Sequence, residues 1–240
     1  MTSQPTRAAR RPHRFAGMSK QDRVQARREA FLEAGISVIG ESGIAETKVR
    51  DVCRRAELTE RYFYESFENL DTFAKAVVES VAMKVAGRLF LKAVGIDEGQ
   101  ARLRAVAKEL VTIMDEDHRV GRILFVETER AGGALAKLRQ QMLYATTWLM
   151  TMWLENPESN TTVVAAMPML TQFMNGGSDA VDPVMGDITT IAMAGAAAEV
   201  LMAWVDDRLD MTAEELVDYL ITFIDEAVIW RRKVTGPERQ

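Results

Sequence analysis

One stretch, TKVRDVCRRAELTERYFYESF from Thr47 to Phe67, constrains this chain more than any other. Val49, Val52, Cys53 and Ala56 recur at helical spacing, which leaves Lys48, Arg50, Asp51, Arg54 and Arg55 on the outer face of a short helix over 48–56. Glu57-Leu58-Thr59 reads as a turn with Leu58 as a buried plug. A second short helix follows over 60–67, with Phe63 and Phe67 on one face. Thr47 and Thr59 stand where hydroxyls cap the two helices. Upstream, Ser19-Lys20-Gln21-Asp22 resembles a capping box and starts a helix to about Gly40. Phe31, Leu32, Gly35, Val38 and Ile39 share its apolar face, and Gly40 and Gly43 end it. Three helices within 19–67 can therefore close a small core, in a helix-turn-helix layout.

Such a layout presents the start of its last helix to a DNA major groove. Arg61 can pair with guanine, Glu60 can accept from a cytosine amine, and Tyr62 can lie on a thymine methyl. Tyr64, Thr47 and Thr59 are placed for phosphates, and Lys48 adds anion affinity. The charge distribution agrees. Residues 1–67 hold 13 basic and 9 acidic side chains, whereas the remainder holds 17 and 26. Met1–Met18 is Arg- and Pro-rich with little apolar content, an expected disordered arm that reaches phosphates.

The same residues carry a family resemblance. A helical run from Val24, G-x-x-G at Gly40–Gly43, T-x-x-x-D at Thr47–Asp51, Ala56, and Y-x-x-F at Tyr64–Phe67 resemble the TetR family of bacterial transcription regulators. The likeness covers about Val24 to Val77. It implies operator contact by Thr47, Lys48, Thr59, Arg61, Tyr62 and Tyr64, an effector enclosed by further helices, and two final helices that pair with a second subunit. The chain departs from the pattern where Glu57 replaces the usual turn glycine and Leu70 an expected lysine. With Glu60 and Glu65 these changes make the reading unit less basic and shift affinity toward the arm.

The rest reads as all-α. Helices are expected over 70–91, 97–114, 120–128, 135–154 and 188–208, with a last one after the capping box at Thr212-Ala213-Glu214-Glu215. The division is an arm at 1–18, a DNA-binding head at 19–67, an effector-binding and dimerisation body at 68–233, and a tail at 234–240. The segment 156–186 holds Pro157, Pro168, Pro183 and Gly176-Gly177, and is either a mobile insertion or an extra packed helix. Adaptable methionines point to an apolar effector, with Phe125, Met142, Trp148, Met152 and Met174 as lining and Glu127 as polar anchor. The small-residue stripe of 188–208 and the apolar face after Leu216 suit a symmetric four-helix contact through Ala194, Ala198, Leu201, Leu216, Leu220, Phe223 and Ile224.

Other chemistry finds little support. A single cysteine, Cys53, excludes an internal disulfide and falls in apolar phase as a core residue. Asp115-Glu116-Asp117-His118 offers one Asp-x-x-His and no second histidine nearby, so no metal or other cofactor is expected. No phosphate loop or nucleophile elbow appears, and no enzyme is expected. No secretory signal stands out, and the longest apolar run, Ile188–Ala198, is interrupted by Glu199, so a cytoplasmic location without a membrane partner is expected. The resulting expectation is a homodimer that binds a palindromic operator and is released by a small apolar effector. The competing expectation is a helical ligand-carrying or sequestering protein whose head no longer reads DNA.

Overall fold

Ser19 opens the first helix with its own side chain: its hydroxyl oxygen accepts from the Asp22 amide at 3.1 Å. The computed structural model describes residues 19–155 and 187–235, and every regular element among them is helical. The elements are α1 (Lys20–Ser42), α2 (Val49–Ala56), α3 (Glu60–Ser66), α4 (Leu70–Ala93) and α5 (Gly99–Glu116). A composite rod follows, of α6 (His118–Gly121), a π-helical turn (Arg122–Glu127) and α7 (Thr128–Ala131). The described body ends with α8 (Gly133–Glu155), α9 (Ile188–Val205) and α10 (Ala213–Thr235).

The caps explain the boundaries. Asn69 accepts from the Thr72 amide at 2.8 Å and starts α4. Thr212 and Glu215 form a reciprocal capping box: the Glu215 carboxylate accepts from the Thr212 amide at 2.8 Å, and the Thr212 hydroxyl accepts from the Glu215 amide at 3.2 Å. Thr47 is a correction. It is buried, and its hydroxyl donates back to the Gly43 carbonyl at 2.7 Å, so the N-cap of α2 is Lys48, whose side chain makes no capping bond. Gly40 is a second correction. It lies inside α1, and a Cβ there would sit 2.5 Å from the Arg119 Cβ. Its smallness admits the close approach of α6 rather than ending the helix.

The head has no sealed core of its own. One apolar cluster runs from Phe31, Ile39, Val52 and Phe63 through Phe73 and Val77 on α4 to Ile123 on the π-turn and Leu138 on α8. Beyond it, α5 lies between α4 and α10. Ala93, Leu103, Met150, Trp153 and Met193 form a second cluster, and Val111, Met114, Leu201, Trp204 and Leu216 a third. By length and composition α9 could cross a membrane, with a mean hydropathy of 1.6. Its Thr190, Met193, Ala194, Leu201 and Trp204 are buried in the body, and Glu199 pairs with Arg208 at 3.4 Å.

Charge joins α4 to α5. The nearly buried Glu109 carboxylate accepts from Arg88 at 2.6 Å and lies 3.1 Å from the Lys92 ammonium, while Arg88 also reaches Glu116 at 2.6 Å. Burial pushes the Glu109 carboxyl upward, but its bonds to Arg88 and Lys92 outweigh this and hold it below the usual range. A carboxylate depressed by folding stabilises the native state above its unfolded value of about 4.3, and that contribution falls away as pH drops through the lower folded value. Glu109→Gln should therefore lower stability at neutral pH and flatten the acid limb of a denaturation series between about pH 5 and 3. Parallel acid limbs in wild type and variant would contradict this role.

Candidate functional site

The α2–α3 turn is set by backbone geometry. Glu57 adopts the left-handed conformation with φ 56° and ψ 35°. Its amide donates to the Arg54 carbonyl at 3.3 Å, and the Leu58 amide donates to Cys53 at 3.0 Å. The two bonds form a Schellman ending, at a cost of about 1 kcal/mol for a non-glycine residue in that conformation. Leu58 is half-buried against the core. Thr59 is the N-cap residue of α3, as its position implies, but its hydroxyl makes no capping bond. Cys53 is buried, and burial first, then the nearby Glu60 charge, push its thiol up, which suits a core residue.

One face of α3 is held from inside. Phe63 packs edge-on against Phe31 and Phe73 at centroid distances of 5.6 and 5.2 Å. From behind, Arg27 lies 4.1 Å over the Tyr62 ring, and Arg28 lies 4.4 Å over Phe67 while donating to the Ser66 carbonyl at 2.9 Å. Tyr62, expected in the groove, is thus half-buried and clasped by α1. Arg27 and Arg28, both on α1, are spent on α3. Neither role follows from local sequence, because both need the crossing of α1 over α3.

The opposite face is open. Glu60, Arg61 and Tyr64 are exposed, as are Lys48 and Thr59. The Arg61 side chain is 84% exposed and pairs with Glu65 at 3.0 Å, a surface pair of small worth that a stronger acceptor can displace. Tyr64 is 57% exposed, with its ring braced edge-on by Phe63 at 5.4 Å. The fold therefore leaves Lys48, Thr59, Glu60, Arg61 and Tyr64 exposed on the head and withholds Thr47 and Tyr62.

Of the expected effector residues, Phe125 and Met142 share the head-side cluster. Phe125 is half-buried between two core clusters, and Met142 packs on the head-side cluster. Trp148 and Met152 lie further along α8, half-buried, and Met174 falls outside the described residues, as does the whole reading of 156–186. Glu127 is a correction. It is buried at the head–body junction, where its carboxylate accepts from the Ile44 amide at 2.7 Å and from Arg122 at 3.3 Å. It abuts Gly43, whose φ of 83° lets the chain turn there and where a Cβ would sit 3.1 Å from the carboxylate oxygens. Beside it Arg119 donates to Asp117 at 2.8 Å and Ser37 at 3.2 Å, and its guanidinium holds the Asp117 carboxyl below the usual range. Glu127 thus fastens the rod to the loop after α1, and Arg119, braced by Asp117, fastens it to α1 itself. None was foreseen as a link, because nothing in the sequence near Glu127 points to Ile44.

The expected pairing residues are largely internal. Ala194, Leu201, Leu216, Leu220 and Ile224 are buried within the single chain, whereas Ala198 and Phe223 are half-buried. Leu216, Leu220 and Ile224 recur every four residues on the face that meets the buried side chains of α5 and α9. The large apolar side chains left exposed on these helices are Ile188, Ile191, Tyr219, Ile229 and Trp230.

No family model and no curated protein matches the sequence. Solved structures match the fold. A TetR-like transcriptional regulator from Rhodococcus sp. RHA1 superposes with a TM-score of 0.59 at 15% identity, over 88% of this chain and 97% of the other. The transcriptional regulator FadR from Bacillus subtilis in complex with stearoyl-CoA matches at 0.57 and 14% identity over 83% and 97%. SmeT, the repressor of the Stenotrophomonas maltophilia multidrug efflux pump SmeDEF, matches at 0.57 and 19% identity over 86% and 91%. The chain has the all-α fold of TetR-family transcriptional regulators. The likeness read between Val24 and Val77 extends, at the level of fold, across the body.

Glu127→Ala leaves the Ile44 amide without its charged acceptor, a loss of about 1–3 kcal/mol. Hydrogen exchange at Ile44 should accelerate in the variant while amides in the middle of α10 stay protected. Unchanged protection at Ile44 would dissociate Glu127 from the loop.

Proposed function

We propose that this chain is a ligand-responsive DNA-binding transcription regulator, a repressor that leaves a palindromic operator when a small, mainly apolar effector enters its body. The observation that carries this reading is the open face of α3. Glu60, Arg61 and Tyr64 stand outward beside Lys48, on a helix whose other face is locked by Phe63. Arg61 and Glu60 are the base readers, and Tyr64, Lys48 and Thr59 meet phosphates. Thr47 supports the loop instead of touching DNA, and Tyr62 serves by fixing α3 on Arg27. The arm at 1–18 adds phosphate affinity. A cytoplasmic protein without enzymatic activity or cofactor fits this role.

Symmetric recognition needs two heads, and a homodimer supplies them. Its contact is assigned to the outer faces of α9 and α10, where Ile191, Tyr219 and Trp230 remain exposed, with Ala198 and Phe223 at the margin. Gly195 also faces open space, which lets a second backbone come close. Leu201, Leu216, Leu220 and Ile224 support that face from within. The FadR structure holds stearoyl-CoA, and SmeT is the repressor of a multidrug efflux pump. The first supports an apolar effector here.

The competing reading, a ligand carrier with a silent head, draws on Glu65, which neutralises Arg61. A gel shift against the DNA flanking the chain's own gene separates the two. Retardation at low salt supports the regulator, and none supports the carrier. Tyr64→Ala should weaken binding to all sequences alike, by roughly tenfold, whereas Arg61→Ala should relax the preference for one base at a cost of about 1–3 kcal/mol. Wild-type affinity and selectivity in both variants would reject α3 as the reader.

The dimer is tested separately. Tyr219→Glu combined with Trp230→Glu changes only exposed positions, so it should yield a folded monomer by light scattering and lose cooperative operator binding. A dimer that survives both changes would place the contact elsewhere.

A further inference from the structure

Arg102 is fully buried, yet most of its guanidinium has no partner. Its Nε donates to the Ile96 carbonyl at 2.6 Å, but neither Nη1 nor Nη2 meets an acceptor among the described residues. The indole N–H of Trp153 and the hydroxyl of Thr189 are buried and unpartnered in the same way. These groups belong to one end of the body. The Trp153 carbonyl presses on Gly99, one turn before Arg102 on α5, so closely that a Cβ there would clash. The Thr151 hydroxyl lies 2.8 Å from that of Thr190, which joins the last turns of α8 to the first turn of α9 beside Thr189. The N-terminal turn of α5 thus meets the C-terminal turns of α8, and these meet the N-terminal turn of α9, so the four unpartnered atoms lie on adjoining turns at one end of the body.

We propose that Arg102, Trp153 and Thr189 form an internal binding site for the carboxylate of an apolar effector. The assignment rests on the effector reading above and names its chemical class. A guanidinium stays charged in proteins, and burying one without an anion is costly. The guanidinium and the indole are donors only, and the hydroxyl can donate as well, so the missing partner is an acceptor rather than another donor. Three of the described carboxylates at this end have other partners. Asp225 accepts from Arg104 and Gln100, Asp187 accepts from Arg231 and the amides of Thr189 and Thr190, and Glu155 pairs with Arg231. The two outer nitrogens of a guanidinium match the two oxygens of a carboxylate in plane and spacing. The neighbouring side chains, Ala93, Leu103, Met150, Met193 and Ala194, are apolar and suit the tail of such a ligand. The fit is thus an aliphatic or aromatic acid with its head group inward.

The test is titration calorimetry of the full chain near neutral pH with decanoate, decyl phosphate and 1-decanol, which share a tail and differ in head group. Decanoate should bind at least about tenfold more tightly than decanol, the size of effect that charge-assisted hydrogen bonds give. Decyl phosphate should bind no better than decanoate. Arg102→Met fills the same space without charge and should erase the preference for decanoate while decanol still binds, with circular dichroism confirming the fold. Trp153→Phe keeps the ring, removes one donor and should lose part of the preference, which preserves a readout if the first variant does not fold. Equal affinity for decanoate and decanol, or no binding of decanoate, would mean that water satisfies Arg102 and would overturn the site. Preference retained in Arg102→Met would overturn it too, and tighter binding of decyl phosphate would overturn the carboxylate assignment. Binding to the operator is read separately, so a chain that binds decanoate but no DNA fails the regulator reading and keeps this site.

Discussion

The aromatic knot of Phe31, Phe63, Phe67 and Phe73 is the interaction on which the reading head depends. Helix α3 spans fewer than two full turns and could not persist alone in water, since helices below about 12 residues are marginal. Tertiary packing must therefore decide both its existence and its rotation. With Phe63 driven inward from α3 against a ring from α1 and a ring from α4, the outward positions follow from the 3.6-residue period. Arg27 and Arg28 close the arrangement from the α1 side and leave Tyr64 supported but uncovered. The acidic residues that thin out the positive charge of α3 lie on this exposed side. They lower the positive charge of that face without loosening the packing that presents it.

Local chemistry was legible in the sequence where cause and effect lie within a few residues. Ser19, Asn69 and the Thr212–Glu215 box cap helices through bonds spanning three positions. The turn at Glu57 was also readable, since a helix that stops before Leu58 and restarts after Thr59 leaves a left-handed residue as the economical geometry. Errors came where two distant elements compete for one group. Thr47 could cap α2 by pattern, but the carbonyl of Gly43 is nearer once α1 has ended. Gly40 resembled a helix terminator, whereas its lack of a side chain is used by Arg119 from a helix some 80 residues on. The π-turn at Arg122–Glu127 has no local signature at all.

Amphipathic patterns identified buried faces without saying what buries them. Leu216, Leu220 and Ile224 make a stripe that would serve a subunit contact equally well, but α5 and α9 already occupy it. Arg102 shows the converse. Its spacing from Gly99 and Val106 places it in the apolar phase of α5, a position where a charged residue looks like an irregularity in the pattern. Burial turns that irregularity into the largest fully buried side chain among the described residues. A charge in apolar phase was thus a visible signal, and its meaning required knowing that no acidic side chain among the described residues reaches it.

Signals between body and head must pass through structures that touch both, and the fold offers few. Helix α4 carries Phe73 into the head core and Arg88 and Lys92 onto Glu109 of α5. The rod after α5 carries Arg119 onto α1 and Glu127 onto the loop before α2. Arg102 lies near the N-terminal end of α5, with Glu109 two turns further along, so a ligand at the proposed site would act on the element that anchors α4. Binding energy alone moves nothing, because an effector shifts the population only by its difference in affinity between the two states. An unpaired buried guanidinium provides such a difference if its surroundings can relax in the state without ligand and are held fixed in the state with it. On the proposed reading the charge would serve two ends, recognition of the acid and strain in its absence, and the α5–α4 ion network connects the helix that carries it to the helix of Phe73.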